Sequence, residues 1–354
     1  MNKKYKQFQT GLIALMKPLK VNQFPLQINI EVTTACNLNC KSCLRKYLID
    51  KPEYMSFEQY KLIIDKINPL MLCFVGFGEP MMHPEFFNFV RYAEKKNIHV
   101  SVTTNGTLIN EKCIENIFNS GINILSISLD AANDEIYSQI RKNNIFNKIT
   151  SALHNINKKK ISKKTLLPNI VFHFVIHNYN YLNIYDFISF SKQYNPAMVY
   201  FQPCEYYNNE DKIMLSNIMN RDTLRQEISK ANKKAIELKL KTNLFFWEKN
   251  FDYLWLKYEN NHKELPYSKV ACIRPWVSTY ISIDGCVYLC CGLSVNSKQS
   301  IGNVFKDNFE EIWNAKKTIN QRKNIKSGKK SLKGCATCVP LSFYDEYRIF
   351  RSKK

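Results

Sequence analysis

Residues 31–45, Glu-Val-Thr-Thr-Ala-Cys-Asn-Leu-Asn-Cys-Lys-Ser-Cys-Leu-Arg, place Cys36, Cys40 and Cys43 on one short loop. The loop follows residues 26–32, an apolar alternating run that reads as a β-strand. Thiols separated by three and then two residues can wrap one corner of a cubane iron–sulfur cluster, ligating three of its four irons. The remaining iron is open, and an open iron on a low-potential cluster suits the reductive cleavage of a sulfonium whose amino and carboxylate groups chelate it. A zinc knuckle and three unrelated buried thiols are the alternatives. Zinc more often takes paired Cys-x-x-Cys spacings with a fourth ligand close by.

Beyond the loop, helix and strand patterns alternate. Ser56 with Gln59 reads as a capping box, and Phe57, Tyr60, Ile63, Ile64 and Ile67 share one helical face that stops at Asn68-Pro69. A strand over 71–75 follows, then a helix opened by Pro84 with Phe86, Phe87, Val90 and Ala93 inward, and a strand over 98–103. Asn110 caps the next helix, which Gly121 closes before a strand over 122–129. Helices through Ile136 and Ile149, a strand over 170–176, a helix over 181–194 and a strand over 198–202 complete about six repeats. Strand–helix repeats with short loops imply a parallel sheet with helices outside. The expected class is α/β, a partial (β/α)6 TIM-like barrel with its chemistry at the C-terminal strand ends.

Those ends carry polar groups. Gly76-Phe77-Gly78-Glu79-Pro80 ends the second strand, Thr103-Thr104-Asn105-Gly106 the third and Ser126-Ile127-Ser128-Leu129-Asp130 the fourth. Taken alone, the first is also a plain turn, Thr104 a helix cap, and Arg141 a solvated helix charge.

The formal charge is +21 at pH 7, mostly from lysines spread through the chain, a pattern that compositional bias also gives. The dense basic runs, 158–164, 233–241 and 322–333, are not interleaved with the aromatics of a base-stacking surface, which disfavours a nucleic-acid partner. Residues 12–16 are too short for a signal-peptide core, and no run reaches membrane-spanning length. With cysteines in metal-like groups, a reducing, cytoplasmic location is expected. Residues 1–25 read as an extension that packs a helix on the main domain.

Residues 205–270 read as a helical bridge in which Trp247, Trp255 and Tyr258 are packing residues. Cys272 then opens a unit with a strand over 278–283, an Asp284-Gly285 hairpin turn, a strand ending in Cys290-Cys291, and a closing Cys335-Ala336-Thr337-Cys338. Four thiolates from such a unit can saturate a cluster or a zinc ion. Cys73, Cys113 and Cys204 sit in apolar or helical settings and read as small core residues.

The Cys-x-x-x-Cys-x-x-Cys triplet behind a Glu-x-Thr strand resembles the signature of the radical S-adenosylmethionine enzymes. Cys272, Cys290 five residues after Gly285, Gly302-Asn303 before the Trp313 helix and the late Cys335-x-x-Cys338 resemble the SPASM/twitch domains appended to them. The resemblance covers nearly everything outside the bridge and the termini. It implies a barrel over 26–204, a small α+β iron–sulfur domain over 271–343 and a basic tail over 344–354. The cofactors it implies are S-adenosylmethionine, a [4Fe-4S] cluster on Cys36, Cys40 and Cys43, and one auxiliary [4Fe-4S] cluster on Cys272, Cys290, Cys335 and Cys338. The chain departs from the full seven-cysteine pattern, with Tyr344 and no cysteine after Cys338; Cys286 and Cys291 are spare, and Cys291 can replace Cys290.

By the same resemblance, Gly78 and Glu79 receive the methionyl ammonium, the glycines letting the main chain approach the ligand. Thr104, Asn105, Ser128 and Asp130 contact methionyl and ribose groups, and Arg141 pairs with the methionyl carboxylate. Ser42 stands where many members carry an aromatic residue near the adenine, so Leu44 or the strand edge near Val175 is expected to supply that contact. The expected activity is hydrogen abstraction from a small polar substrate or a peptide side chain. A donor such as flavodoxin or ferredoxin would supply electrons, and the auxiliary cluster would accept the substrate's electron. A nucleic-acid-modifying radical enzyme and a non-catalytic metal-binding protein are the competing classes.

Overall fold

A computed structural model of the chain describes residues 11–204, 219–252, 255, 272–294 and 297–327. Cys335, Cys338 and Tyr258 lie outside the described residues. In chain order the elements are α1 (11–16), β1 (Gln27–Ile30), α2 (Arg45–Leu48), α3 (Phe57–Ile67), β2 (Met71–Phe74), α4 (Phe86–Lys95), β3 (His99–Thr104), α5 (Glu111–Ser120), β4 (Ile122–Ser128), α6 (Asp134–Arg141) and α7 (Phe146–Ser162). They continue as β5 (Asn169–Ile176), α8 (Ile184–Lys192), β6 (Met198–Pro203), α9 (Arg221–Glu237), α10 (Leu244–Lys249), α11 (Arg274–Val277), β7 (Ser278–Ile281), β8 (Cys286–Tyr288), β9 (Gly302–Asn303), α12 (Phe309–Asn314) and α13 (Lys316–Lys326).

The described residues fall into two compact units: those within 11–35, 48–101 and 272–327 form one, and those within 36–47, 102–204 and 219–255 the other. Among the described residues β1 to β6 are each followed by a helix, the alternation expected of the sequence pattern. In the first unit β1 lies between β2 and β7 and is parallel to both, with Ile28 opposite Leu72 on one side and Thr279 on the other. β7, β8 and β9 then run antiparallel. The turn between β7 and β8 uses Gly285 at φ 80°, the left-handed conformation that makes Asp-Gly a hairpin signal. The C-terminal α+β unit is therefore joined to β1 by main-chain pairing, which its local pattern did not reveal.

The first helix of the repeat forms as its caps dictate. Gln59 N–H donates to Ser56 Oγ and Ser56 N–H to Gln59 Oε1, and Asn68 ends α3 in the left-handed region. In α4 the buried face is Phe86, Phe89, Val90 and Ala93. Phe87 is only half-buried, because it lies a full 100° round the helix from Phe86, whereas Phe89 falls on the core stripe and stacks on Tyr60. The N-terminal extension is clasped by the C-terminal helices: the indoles of Trp276 and Trp313 donate to Pro18 and Gln23 carbonyls, and Asn314 brackets the Val21 peptide from both sides.

In the second unit β4, β5 and β6 are parallel, placing Ser128 opposite His173 and His173 opposite Tyr200. Phe172 and Phe174 face Phe187 of α8, so the apolar face of β5 is the helix side. The bridge closes an edge. Lys241 C=O accepts from Val199 N–H, and the Asn243 amide pairs with both the N–H and the C=O of Phe201 at 2.8 Å, covering the main chain of β6. Trp247 donates to Phe201 C=O and is buried, as is Trp255. Cys113 and Cys204 are buried, and Cys73 is half-buried on β2. Among the described residues no helix is long and apolar enough to cross a membrane.

Candidate cluster and cofactor site

The three-cysteine loop is tied down within the second unit by the ends of β3 and α6. Asn37 donates to Thr107 Oγ1 at 2.7 Å, while Asn105 Nδ2 donates to Asn37 Oδ1 at 3.0 Å and reaches Cys36 Sγ at 3.9 Å. Asn105 Oδ1 in turn accepts from Thr107 N–H and Oγ1, so one amide fixes both the turn after β3 and the cluster loop. On the other side Lys41 N–H donates to Ile140 C=O at 3.0 Å, and the Lys41 ammonium sits 4.0 Å from the Tyr179 ring centroid. Arg141 Nη1 reaches Cys40 Sγ at 3.6 Å, so Cys36 and Cys40 each have a side-chain N–H donor beside them.

Arg141 is no solvated helix charge. Its side chain is 12% exposed, and Nη2 lies 2.5 Å from Asp130 Oδ2. Burial works against its charge, but Asp130 and then Cys40 outweigh burial and hold the guanidinium firmly protonated. Asp130 also accepts from Val175 N–H at 2.9 Å, and Asn180 Nδ2 donates to both Asp130 C=O and Val175 C=O. The Val175 edge, expected to meet an adenine, is therefore engaged by the chain itself. Arg141 Nε is buried and without a partner among the described residues, as is His177 Nε2; burial brings the His177 imidazole down to about 4, keeping it neutral.

The glycine–glutamate loop belongs to the first unit. A Cβ at Gly78 would overlap the Thr33 carbonyl oxygen, and one at Gly76 would stand 2.5 Å from Glu31 Oε1. At both glycines the chain approaches itself too closely for any side chain. Glu79 is buried; its N–H donates to Ala35 C=O at 2.7 Å, and its carboxylate accepts from Met81 N–H at 3.2 Å. Thr104 Oγ1 accepts from Gly106 N–H inside the turn after β3, and the next helix is capped by Asn110 instead. Ser128 is half-buried at the end of β4.

The donor set fits a cubane. Cys36, Cys40 and Cys43 are free thiols on one loop, and burial pushes the Cys43 thiol up, so its proton must leave when it ligates. Among the described residues no three His, Cys, Asp or Glu side chains converge closely enough for a single metal ion, and thiols that each take a different iron need no such convergence. An open pocket of about 490 Å³ beside the loop is lined by Cys36, Asn39, Arg45, Lys142 and Asn143, among others. In the C-terminal hairpin Cys272 and Cys290 are half-buried, Cys291 is exposed, and Cys286 Sγ lies 3.8 Å from Asn303 Nδ2.

Sequence reasoning missed Asn37, Thr107, Asn180 and Glu31. Asn37 and Thr107 had a signal, flanking Cys36 and following the strand-end Asn105. Asn180 had none, since its role depends on the chain turning back beside Asp130.

A family profile for the Radical SAM superfamily matches residues 30–190, and one for the SPASM iron–sulfur cluster-binding domain matches residues 272–339. The tungsten-containing aldehyde ferredoxin oxidoreductase cofactor-modifying protein of Pyrococcus furiosus is 30% identical over 105 residues, 28% of this chain and 30% of that protein. Mycofactocin maturase MftC of Mycolicibacterium smegmatis is 32% identical over 152 residues, 42% of this chain and 36% of its own. Each alignment thus spans about a third of the relative's length. Streptococcus suis SuiB bound to S-adenosylmethionine shares the fold with a TM-score of 0.66 at 14% identity, over 96% of this chain and 78% of SuiB. SuiB has also been solved with a precursor peptide, SuiA.

Proposed function

The chain belongs to the radical S-adenosylmethionine superfamily and carries an iron–sulfur cluster-binding domain of the SPASM type, and from that premise we propose that it oxidises a peptide side chain by hydrogen abstraction. The observation that carries the reading is the three-thiol loop, with N–H donors from Asn105 and Arg141 beside two of its sulfurs. When bound, a [4Fe-4S] cluster on Cys36, Cys40 and Cys43 with S-adenosylmethionine supplies the electron that cleaves the sulfonium to a 5'-deoxyadenosyl radical.

The chain's own residues bind and orient. Glu79 is the acceptor for the methionyl ammonium and Arg141 Nε the donor for its carboxylate, with Asp130 keeping Arg141 charged. Asn105 fixes the loop, and Ser128 lines the strand end. A peptide is favoured over a small polar substrate because SuiB takes a precursor peptide and MftC is named a maturase. Cys272, Cys290, Cys335 and Cys338 would hold one auxiliary [4Fe-4S] cluster, which would serve as electron acceptor, and a cytoplasmic flavodoxin or ferredoxin would be the donor to the barrel cluster.

Anaerobic purification with iron and sulfide analysis, followed by a 5'-deoxyadenosine assay under dithionite, tests the cofactor half. Zinc without iron would end it. Peptides from a deletion strain compared with its parent test the substrate half, the expected difference being a loss of two hydrogens in one peptide. A small metabolite changed instead would move the reading to the small-molecule class.

A further inference from the structure

Glu31 leaves the end of β1 only 3% exposed, and its carboxylate is shared with two other segments of the first unit. Oε1 accepts from Phe77 N–H at 2.6 Å. The Ile283 main chain and the Tyr280 hydroxyl, both on the β7–β8 hairpin, favour the charged form of this carboxylate, while Glu31 N–H donates to Ile281 C=O at 3.0 Å. Gly76 lies directly on this side chain: a Cβ there would stand 2.5 Å from Oε1 and 2.6 Å from Cγ. At the far end of the same loop, Glu79 N–H donates to Ala35 C=O. The loop over 76–79 is thus fastened twice to residues 31–35, by a side chain at Phe77 and by the main chain at Glu79.

We propose that Glu31 is the positioning residue of the cofactor loop, setting the main-chain path through Gly76 and Phe77 on which the Glu79 carboxylate depends, and tying that path to the β7–β8 hairpin. The inference rests on the reading of Gly78 and Glu79 as the ammonium site. Only a carboxylate suits the position. It offers two oxygens and about four lone-pair sites, whereas an apolar side chain would leave the Phe77 N–H without this acceptor. Burial, partly opposed by these hydrogen bonds and reinforced by Asp284, pushes the Glu31 carboxyl up to about 7. A group this costly to bury is retained for the donors it gathers.

The test uses cluster-loaded protein, S-adenosylmethionine as the titrated ligand and calorimetry as the readout. Glu31→Ala weakens binding about tenfold or more with iron content unchanged, and Glu31→Gln, which keeps an oxygen for Phe77 N–H, loses less. Gly76→Ala also weakens binding, and adding Glu31→Ala to it recovers part of the loss by removing the atoms its Cβ meets. In cluster-free protein, hydrogen exchange at the Phe77 amide accelerates in Glu31→Ala while the β1 amides stay protected. A folded, iron-replete Glu31→Ala with unchanged affinity and unchanged Phe77 protection overturns the proposal. If that variant does not fold, unchanged affinity in both Glu31→Gln and Gly76→Ala overturns it equally. Glu79→Gln separates the two levels: if it too leaves affinity unchanged, the ammonium-site reading fails, and if it alone weakens binding, only the positioning role does.

Discussion

The cluster loop and the C-terminal hairpin both set thiols among polar neighbours, yet each region is organised by a different buried arginine. Arg141 pairs with Asp130 and reaches Cys40. Arg322 donates instead to the carbonyls of Pro275, Trp313 and Leu19, and its guanidinium lies 4.3 Å from the Trp313 ring centroid. Burial opposes both charges. A carboxylate overrides it at Arg141, whereas at Arg322 nothing does and the pKa falls to about 10. One region keeps a fixed cation beside a thiol that turns anionic on ligation; the other uses its cation to hold three chain segments together. The first of the basic residues in the 322–333 run is thus part of the core and offers nothing to an anionic partner.

The largest effect that tests this contrast is loss of a ligand. Alanine at Cys36, Cys40 or Cys43 takes 5'-deoxyadenosine formation to background, whereas Cys272→Ala retains it; equal loss in both regions would mean that the second is needed for the chemistry of the first. The arginines come next. Arg141→Met leaves the Asp130 carboxylate buried without its cation and costs about 3–5 kcal/mol in denaturant unfolding of cluster-free protein, and Asp130→Asn in the same chain recovers much of it. Arg322→Met leaves only neutral carbonyls behind and costs about 2–3 kcal/mol, with no such rescue available.

Glu31 separates the regions by pH. Its folded pKa, about 7, lies above the unfolded value of 4.5. Its contribution is fully present below the unfolded value and declines as pH rises through 7, by roughly 3 kcal/mol at most. Unfolding curves across that window should show the decline in the wild type and a flatter profile in Glu31→Gln. Identical slopes would mean that the carboxyl titrates alike folded and unfolded.

The fold was largely legible because its signals are local. The Ser56–Gln59 capping box, the left-handed Asn68 and the Asp284-Gly285 turn each act within a few residues, and so do the spacings of Cys36, Cys40 and Cys43. What was hidden depends on contacts made across the sequence. Arg141 looks like any helix lysine or arginine until Asp130, eleven residues earlier, is brought under it. Gly76 and Gly78 read as making room for a ligand, and nothing in the stretch itself says that Glu31 and Thr33 also press against them. The Trp276 and Trp313 indoles hold Pro18 and Gln23 across nearly the whole chain, so no periodicity announces where the N-terminal extension packs.

The smallest effect asks whether the two regions treat their sulfurs alike. Asn105 Nδ2 lies 3.9 Å from Cys36 Sγ and Asn303 Nδ2 lies 3.8 Å from Cys286 Sγ, two near-equal contacts with unequal expected consequences. Hydrogen bonds to ligating sulfur raise a cluster's reduction potential by stabilising the more negative state. Asn105→Ala should therefore lower the potential of the barrel cluster slightly, at a stability cost of about 1 kcal/mol from the lost amide contacts. Asn303 holds a cysteine counted as spare and also donates to Asp284 C=O at 2.9 Å, so Asn303→Ala should cost a similar amount of stability and shift neither potential. Redox titration followed by electron paramagnetic resonance reads both clusters in one sample. A shift of the auxiliary signal in Asn303→Ala would place Cys286 among the ligands and displace Cys290, while an unmoved barrel signal in Asn105→Ala would show that the Asn105 amide only braces the loop.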